Sequence, residues 1–285
     1  MTIEVEYVQR LIRRRDLLPT SSAIEAGPYP IRIYTLGRFA ILSDNLPLQF
    51  SGKAQKKPLA LLKMLIALGG QGVAASALCD VLWPDSAGDN GRHALDMAVS
   101  RLRKLLGSAA AIIVHDAKFT INEKLVWLDA KAFEQSVEKY ENQNQNRNEI
   151  ELTLRLGAEA IRRYAGTFLT GEEDMPWLLG FRERLRARYL RVVLSYGALL
   201  EKNGEYEQAI NCYQHALESE PVAEQIYQRL MHCHLMRGEY AQTVEIFRRC
   251  RKMLSIVLGV SPSTKTESFA ARARGGESIK ELCSP

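Results

Sequence analysis

The stretch LDMAVSRLRKLLG, Leu95 to Gly107, decides the reading of the first half of the chain. At about 100° per residue an α-helix brings Leu95, Val99, Leu102 and Leu106 onto one stripe, and Gly107 stops it. The opposite stripe is His93, Met97, Ser100 and Lys104, with Asp96 and Arg103 on one flank and Arg101 on the other. A helix that only filled a core needs no such cationic face. An α-helix fits the major groove of double-stranded DNA, where Arg and Lys donate to guanine edges or to phosphates and Ser adapts to either. A solvated face is the plainer account of any charged helix surface, so the surroundings must choose.

The surroundings favour DNA. From Ile31 the short alternating runs IRIYTL, RFAIL and PLQF predict strands of a small antiparallel sheet. KKPLALLKMLIALGG predicts a helix with Pro58 in its first turn, where a missing N–H is tolerated, and a Gly pair at its end. ASALCDVLWP predicts a shorter helix started at or near Ser76 and stopped by Pro84. The polar loop DSAGDN leads into the third helix, read over residues 89–106. AIIVH, a turn at Asp116–Ala117 and KFTI form a hairpin, with LVWLD as a further strand. Strands, three helices and a hairpin are the order of a winged helix. From Ser51 to Gly107 eight Lys/Arg stand against four Asp, so this segment carries +4 of the chain's +5. Lys53, Lys56 and Lys57 cluster ahead of the first helix. Together with Ser76, Arg92 and Lys118 they are the candidate contacts to the DNA backbone.

From Ala130 onward the pattern is helical throughout, broken at the polar stretch ENQNQNRNE. Residues 185–255 hold a repeat with a period of 34. Gly204-Glu205-Tyr206 recurs as Gly238-Glu239-Tyr240, Gln208 matches Gln242, Tyr213 matches Phe247 and Ala216 matches Cys250. In the first copy Gly197, Ala209, Tyr213, Ala216 and Pro221 occupy the small, aromatic and terminating positions of a tetratricopeptide repeat. Small residues let paired helices approach closely, and the aromatic fills the space between pairs. The fold class is therefore mostly α with a small β part. An N-terminal winged helix (α+β) is followed by an all-α, tetratricopeptide-like repeat domain.

Several function classes are excluded. With 46% hydrophobic and 25% charged residues the composition is globular, and no apolar run approaches the ~20 residues of a membrane span. The N-terminus lacks a secretory signal, and five scattered cysteines fit a reducing cytoplasm rather than a disulfide framework. No phosphate-binding glycine signature and no nucleophile motif is present, so neither an enzyme nor a cofactor is expected. Cys212 and His215, with His232-Cys233-His234, superficially suggest a metal site. Cys250 falls on a small core position, however, and successive His-Cys-His side chains on a helix point apart, so no metal is expected. Residues 1–18, with Ile3, Val8, Leu11 and Ile12 on one side and Arg13, Arg14 and Arg15 trailing, read as a short amphipathic helix before a Pro/Ser/Gly-rich linker. They are readable as the end of something that precedes the first domain.

LGRFAIL, GKAQKKPLALLKMLIALGG, LWPD, AVSRLRKLLG and VWLDAKAFE resemble the winged-helix domain of SARP-type bacterial regulators, a branch of the OmpR-like fold. YAGTFLTGEEDMPWLLGFRERL, EPVAEQIYQRLM and LGVSPSTKT resemble the bacterial transcriptional activator domain that follows it in that family. The resemblance runs from about Ile31 to Phe269. It implies residues 1–30 as helix and linker, 31–129 as the winged helix, 130–272 as the activator domain and 273–285 as a flexible tail. It implies a cytoplasmic activator that binds tandem promoter elements in double-stranded DNA, recruits RNA polymerase and associates with itself on DNA, with an upstream sensor module as a possible partner and no membrane. By position it places His93, Asp96, Met97, Ser100, Arg101, Arg103 and Lys104 in the major groove. The family's Gly-aromatic pair in the wing is Lys118–Phe119 here, on a short turn, which leaves Lys118 for a phosphate. The competing class is a repeat-type protein-interaction module whose winged helix binds protein or is held off DNA. That reading expects Arg101, Arg103 and Lys104 to be covered or paired with acids.

Overall fold

The computed structural model describes residues 29–50, 55–86, 88–146, 149–172 and 175–275. The N-terminal helix and linker expected before residue 29, Lys53, and the end of the tail lie outside the described residues. The chain divides into two compact units. One takes residues up to Ser136 together with Arg163–Arg186, and the other takes Val137–Arg162 and everything from Ala187.

In the first unit β1 (Ile31–Tyr34), β2 (Ala40–Ser43) and β3 (Leu46–Pro47) form an antiparallel meander. Asp44 and Asn45 turn β2 into β3 with positive φ at both positions, the two-residue turn whose twist suits a hairpin. Ile31 and Ile33 alternate inward with Arg32 and Tyr34, as the sequence alternation requires. Next comes α1 (Lys56–Ala67), whose Leu61, Leu62, Met64 and Leu65 are fully buried. Then follow the short β4 (Val73–Ala74), α2 (Ala75–Leu82) and α3 (Gly88–Leu105). β5 (Ile112–His115) and β6 (Lys118–Ile121) make the hairpin, turned at Asp116 and Ala117 with positive φ at both.

Two pairings had no counterpart in the sequence reading. β4 joins the hairpin, giving a three-stranded sheet in the order β4-β6-β5. β7 (Val126–Leu128) leaves the hairpin and runs parallel to β1, completing a sheet in the order β3-β2-β1-β7. Of the expected strand PLQF only Pro47 is in a strand, as the second residue of β3, and residues 48–50 are not.

The parallel pairing is fastened by Asp129, the first residue of α4 (Asp129–Asn146). One carboxylate oxygen accepts from the backbone N–H groups of Thr35 (2.7 Å) and Leu36 (2.8 Å). The other accepts from the Thr35 hydroxyl (2.6 Å) and the N–H of Ala130 (2.7 Å). Burial pushes this carboxyl above the usual range, while the four donors act in the opposite sense. Residues 163–172 close against the same sheet. Gly37 N–H donates to Thr167, Leu169 N–H donates to Thr35, and Leu36 bridges Phe168. Gly37 has φ +71°, and a Cβ there would stand 2.2 Å from the Ala165 carbonyl, so only glycine fits. Lys63 of α1 pairs with Glu172.

The second unit is helical. It contains most of α4, α5 (Ile150–Arg163), the later part of α6 (Pro176–Lys202), α7 (Tyr206–Ser219), α8 (Glu224–Met236), α9 (Tyr240–Leu258) and α10 (Thr264–Gly275). The two copies of the repeat pair the end of α6 with α7 and α8 with α9, and Gly-Glu-Tyr opens α7 and α9. Gly204 and Gly238 carry positive φ at the tight turns before them. The small positions act as the pattern requires. A Cβ on Gly197 would lie 2.2 Å from the Tyr213 hydroxyl, and one on Gly157 would lie 2.5 Å from the Tyr196 ring. Glu224 at the start of α8 accepts from the Ser263 N–H and hydroxyl, both at 2.7 Å, and from the Thr266 hydroxyl at 2.5 Å. This gives the SPSTKT segment its physical role as the anchor of α10. That helix runs to Gly275, three residues into the segment read as a tail.

Candidate nucleic-acid interface

α2, the turn after Trp83 and α3 form the helix-turn-helix, and the β5–β6 hairpin stands beside α3. Leu95, Val99, Leu102 and Leu106 are all buried, which fixes the rotation of α3 about its axis. Burying one such side chain stabilises by about 1.5–3 kcal/mol, so turning the helix to hide its cations would be strongly opposed. The opposite stripe is consequently outward. His93, Asp96, Met97, Ser100, Arg101 and Lys104 are all exposed, Met97 by 44%. Among the described residues neither Arg101 nor Lys104 has an ion-pair partner.

Arg103 is different. It is half-buried, and its Nε (3.1 Å) and Nη2 (2.7 Å) both donate to the carbonyl of Ile112 on β5. Arg92 is also half-buried, reaching Asp96 at 3.5 Å and lying over the Phe119 ring at 5.9 Å.

The backbone candidates scatter around this helix. Lys56 is exposed at the start of α1. Lys57 is exposed, but its Nζ donates to the Leu82 carbonyl at 2.6 Å and lies over the Trp83 ring at 5.4 Å. Ser76 is exposed as the second residue of α2, one position inside the observed start. Lys118 is exposed at the tip of the hairpin. A groove of about 690 Å³ runs between the outer face of α3 and the hairpin, lined in part by Ser100, Arg103, Lys104, Ser108 and Val114.

The second unit holds a polar cluster that the sequence reading missed. Glu201 on α6 is buried, and its carboxylate accepts from the Tyr213 hydroxyl (2.7 Å) and from Arg229 Nε (3.0 Å), with Arg229 Nη2 on its other oxygen. His232 Nδ1 stands 3.1 Å from that second oxygen. Burial raises the Glu201 carboxyl, but its close contact with His232, the hydrogen bond from Tyr213 and the Arg229 charge outweigh this and hold it below the usual range. Glu201, His232 and Cys233 stand close enough to suggest metal ligands. Arg229 already occupies both oxygens of that carboxylate, and a second cation would have to displace it. The cluster is better read as a satisfied buried ion pair that ties α6, α7 and α8 together. The only signal in the sequence was a charged residue at a helical position otherwise reserved for core.

Residues 128–274 match the family model of the bacterial transcriptional activator domain. The chain belongs to the bacterial transcriptional activator domain family. With a winged helix ahead of that domain, its architecture is that of the SARP-type regulators to which the sequence is similar. The structure of Mycobacterium tuberculosis EmbR in complex with a low-affinity phosphopeptide is similar in fold, with a TM-score of 0.63 and 20% identity over 87% of this chain. This chain spans 66% of that one, just under two thirds. The TPR2B domain of yeast Sti1, in its complex with pHsp70, aligns over 52% of this chain and 98% of its own at 17% identity, with a TM-score of 0.34. No curated protein matches the chain. No described helix is long and apolar enough to cross a membrane.

Proposed function

We propose that this family member is a sequence-specific DNA-binding transcriptional activator that reads the major groove with α3. The observation that carries the reading is the outward face of α3. Arg101 and Lys104 stand exposed and, among the described residues, without acidic partners, beside His93, Asp96, Met97 and Ser100, on a helix whose opposite stripe is locked into the core. Lys56, Ser76 and Lys118 supply phosphate contacts around it, and half-sites lie roughly 10–11 base pairs apart for copies bound head to tail. The interaction-module alternative expects the α3 cations to be paired with acids, and among the described residues Arg101 and Lys104 have no such partner.

The helical unit serves polymerase, a second copy or a sensor. It leaves Ile256, Val257, Leu258 and Val260 exposed at the end of α9, an apolar surface suited to protein contact. EmbR was solved with a phosphopeptide, which supports a sensor partner for this chain as one of these contacts.

Fluorescence anisotropy on the chain's own upstream DNA, against scrambled DNA and across a salt series, tests the reading. Each phosphate contact contributes about 0.9 to the slope of log K against log salt. Arg101→Ala/Lys104→Ala should abolish the preference for the native sequence and flatten the slope by up to about 1.8. Equal binding of native and scrambled DNA by wild type and variant alike would sink the proposal.

A further inference from the structure

We propose that Arg103 is a positioning residue for DNA recognition. It sets the stand-off between α3 and the wing and is not itself a groove contact. The proposal rests on the DNA-binding function proposed above. Arg103 is immobilised at both ends. Its backbone carbonyl accepts the Ser108 N–H at 3.1 Å while Gly107 N–H donates to Lys104 at 3.2 Å, the paired bonds that close a helix through a left-handed glycine. Its guanidinium then reaches across to β5 and gives two donors to one carbonyl, that of Ile112.

The neighbouring carbonyls at the base of the wing are satisfied from within the loop and hairpin. Asn122 donates to Ala110 through its side chain (3.0 Å) and to Ala111 through its N–H (2.9 Å). The Ile112 carbonyl is thus the one of these three that the reading helix itself takes. β5 is an edge strand, with β6 on one side only. Arg103 therefore fastens its open side and fixes where Lys118, at the far end of the hairpin, stands relative to Arg101 and Lys104. A lysine keeps the charge at this position but cannot present a planar pair of donors. Charge and geometry can therefore be separated by one substitution.

The full chain would be compared as wild type, Arg103→Lys, Arg103→Ala and Arg101→Ala. Anisotropy across a salt series is one readout. Hydrogen exchange of the β5–β6 amides without DNA is the other. For a positioning residue, Arg103→Lys weakens binding about tenfold, as Arg103→Ala does. Adding Lys118→Ala to Arg103→Lys then costs little, because the wing contact is already lost. The β5–β6 amides exchange faster in both Arg103 variants and not in Arg101→Ala. The proposal is overturned if Arg103→Lys binds as wild type while Arg103→Ala alone lowers the salt slope by about 0.9, the mark of a phosphate contact. Unchanged exchange in both Arg103 variants overturns it equally. If wild type reads no DNA, the functional proposal fails, and the exchange experiment still decides whether Arg103 holds the wing.

Discussion

Replacing Gly197 with alanine tests the packing of the helical unit at its tightest point. The added Cβ would meet the Tyr213 Oη at 2.2 Å, Cζ at 2.3 Å and Cε1 at 2.5 Å, all more than an ångström inside ordinary contact. Tyr213 is fully buried, so its ring has no free volume to turn into. Relief must come from spreading α6 and α7 or from driving the phenol off its 2.7 Å bond to Glu201. Overpacking costs about 1–3 kcal/mol, and losing a hydrogen bond to a charged partner about 1.5–3 kcal/mol. Alanine returns up to about 1 kcal/mol of helix propensity. By either route the net loss is about 1–3 kcal/mol, a sizeable part of a domain's stability. Urea unfolding followed by circular dichroism measures it. Gly204→Ala is the control, since it meets nothing within 4 Å and carries only the strain of φ +78°, about 1 kcal/mol. Because every clashing atom belongs to the far end of one ring, Gly197→Ala/Tyr213→Leu should be less destabilised than the two single losses added together. A Gly197→Ala protein within 0.5 kcal/mol of wild type, or strict additivity in the double variant, would refute the packing argument (the threshold being about the noise of additivity tests).

Three further outcomes are expected. Asp129→Asn should destabilise the first unit by about 2–3 kcal/mol, because both oxygens accept and an amide nitrogen would face a donor; an unchanged urea midpoint would contradict this. Glu224 is raised by burial but held lower overall by Thr266 and Ser263. Its contribution should be complete above the unfolded-state value of about 4.3 and lost as pH falls through the depressed folded value. The stability gap between wild type and Glu224→Gln should therefore close on acidification, and a gap that widens below pH 4 would reverse the sign (taking about 4.3 as the unfolded reference). Ala117→Gly should raise the stability of the first unit by about 1 kcal/mol, since Ala117 sits at φ +56°; calorimetry showing a loss would contradict the strain.

Where periodicity is strong, the sequence was readable to the residue. The stripe Leu95, Val99, Leu102 and Leu106 is buried as its spacing requires, and six of the seven groove candidates are exposed. Arg103 departs because a flank residue, roughly 80° from the centre of either stripe, can turn to solvent or to a neighbouring element, and periodicity does not choose between them. Its partner is a backbone carbonyl on a strand, which leaves no mark in the sequence. The partner of β7, itself expected as a strand, escaped for a related reason. A parallel pairing between Ile31–Ile33 and Val126–Leu128 spans most of the first unit and has no local turn signal. Glu201 was hidden because a charged residue near a helix end is normally solvated, and only its three-dimensional partners make it core.

The seam where Asp129, Gly37 and Phe168 meet bears on how such regulators can be recombined. A cut after residue 129 looks natural, since the strands end there and helices begin. It would nonetheless strip the sheet of the Leu36–Phe168 bridge, the Gly37–Thr167 bond and the Lys63–Glu172 pair. A winged-helix head grafted from one regulator to another therefore has to travel with the segment 163–186. Chimeras joined at the strand–helix boundary should emerge poorly folded, and those that exchange both pieces should keep the specificity of the donor.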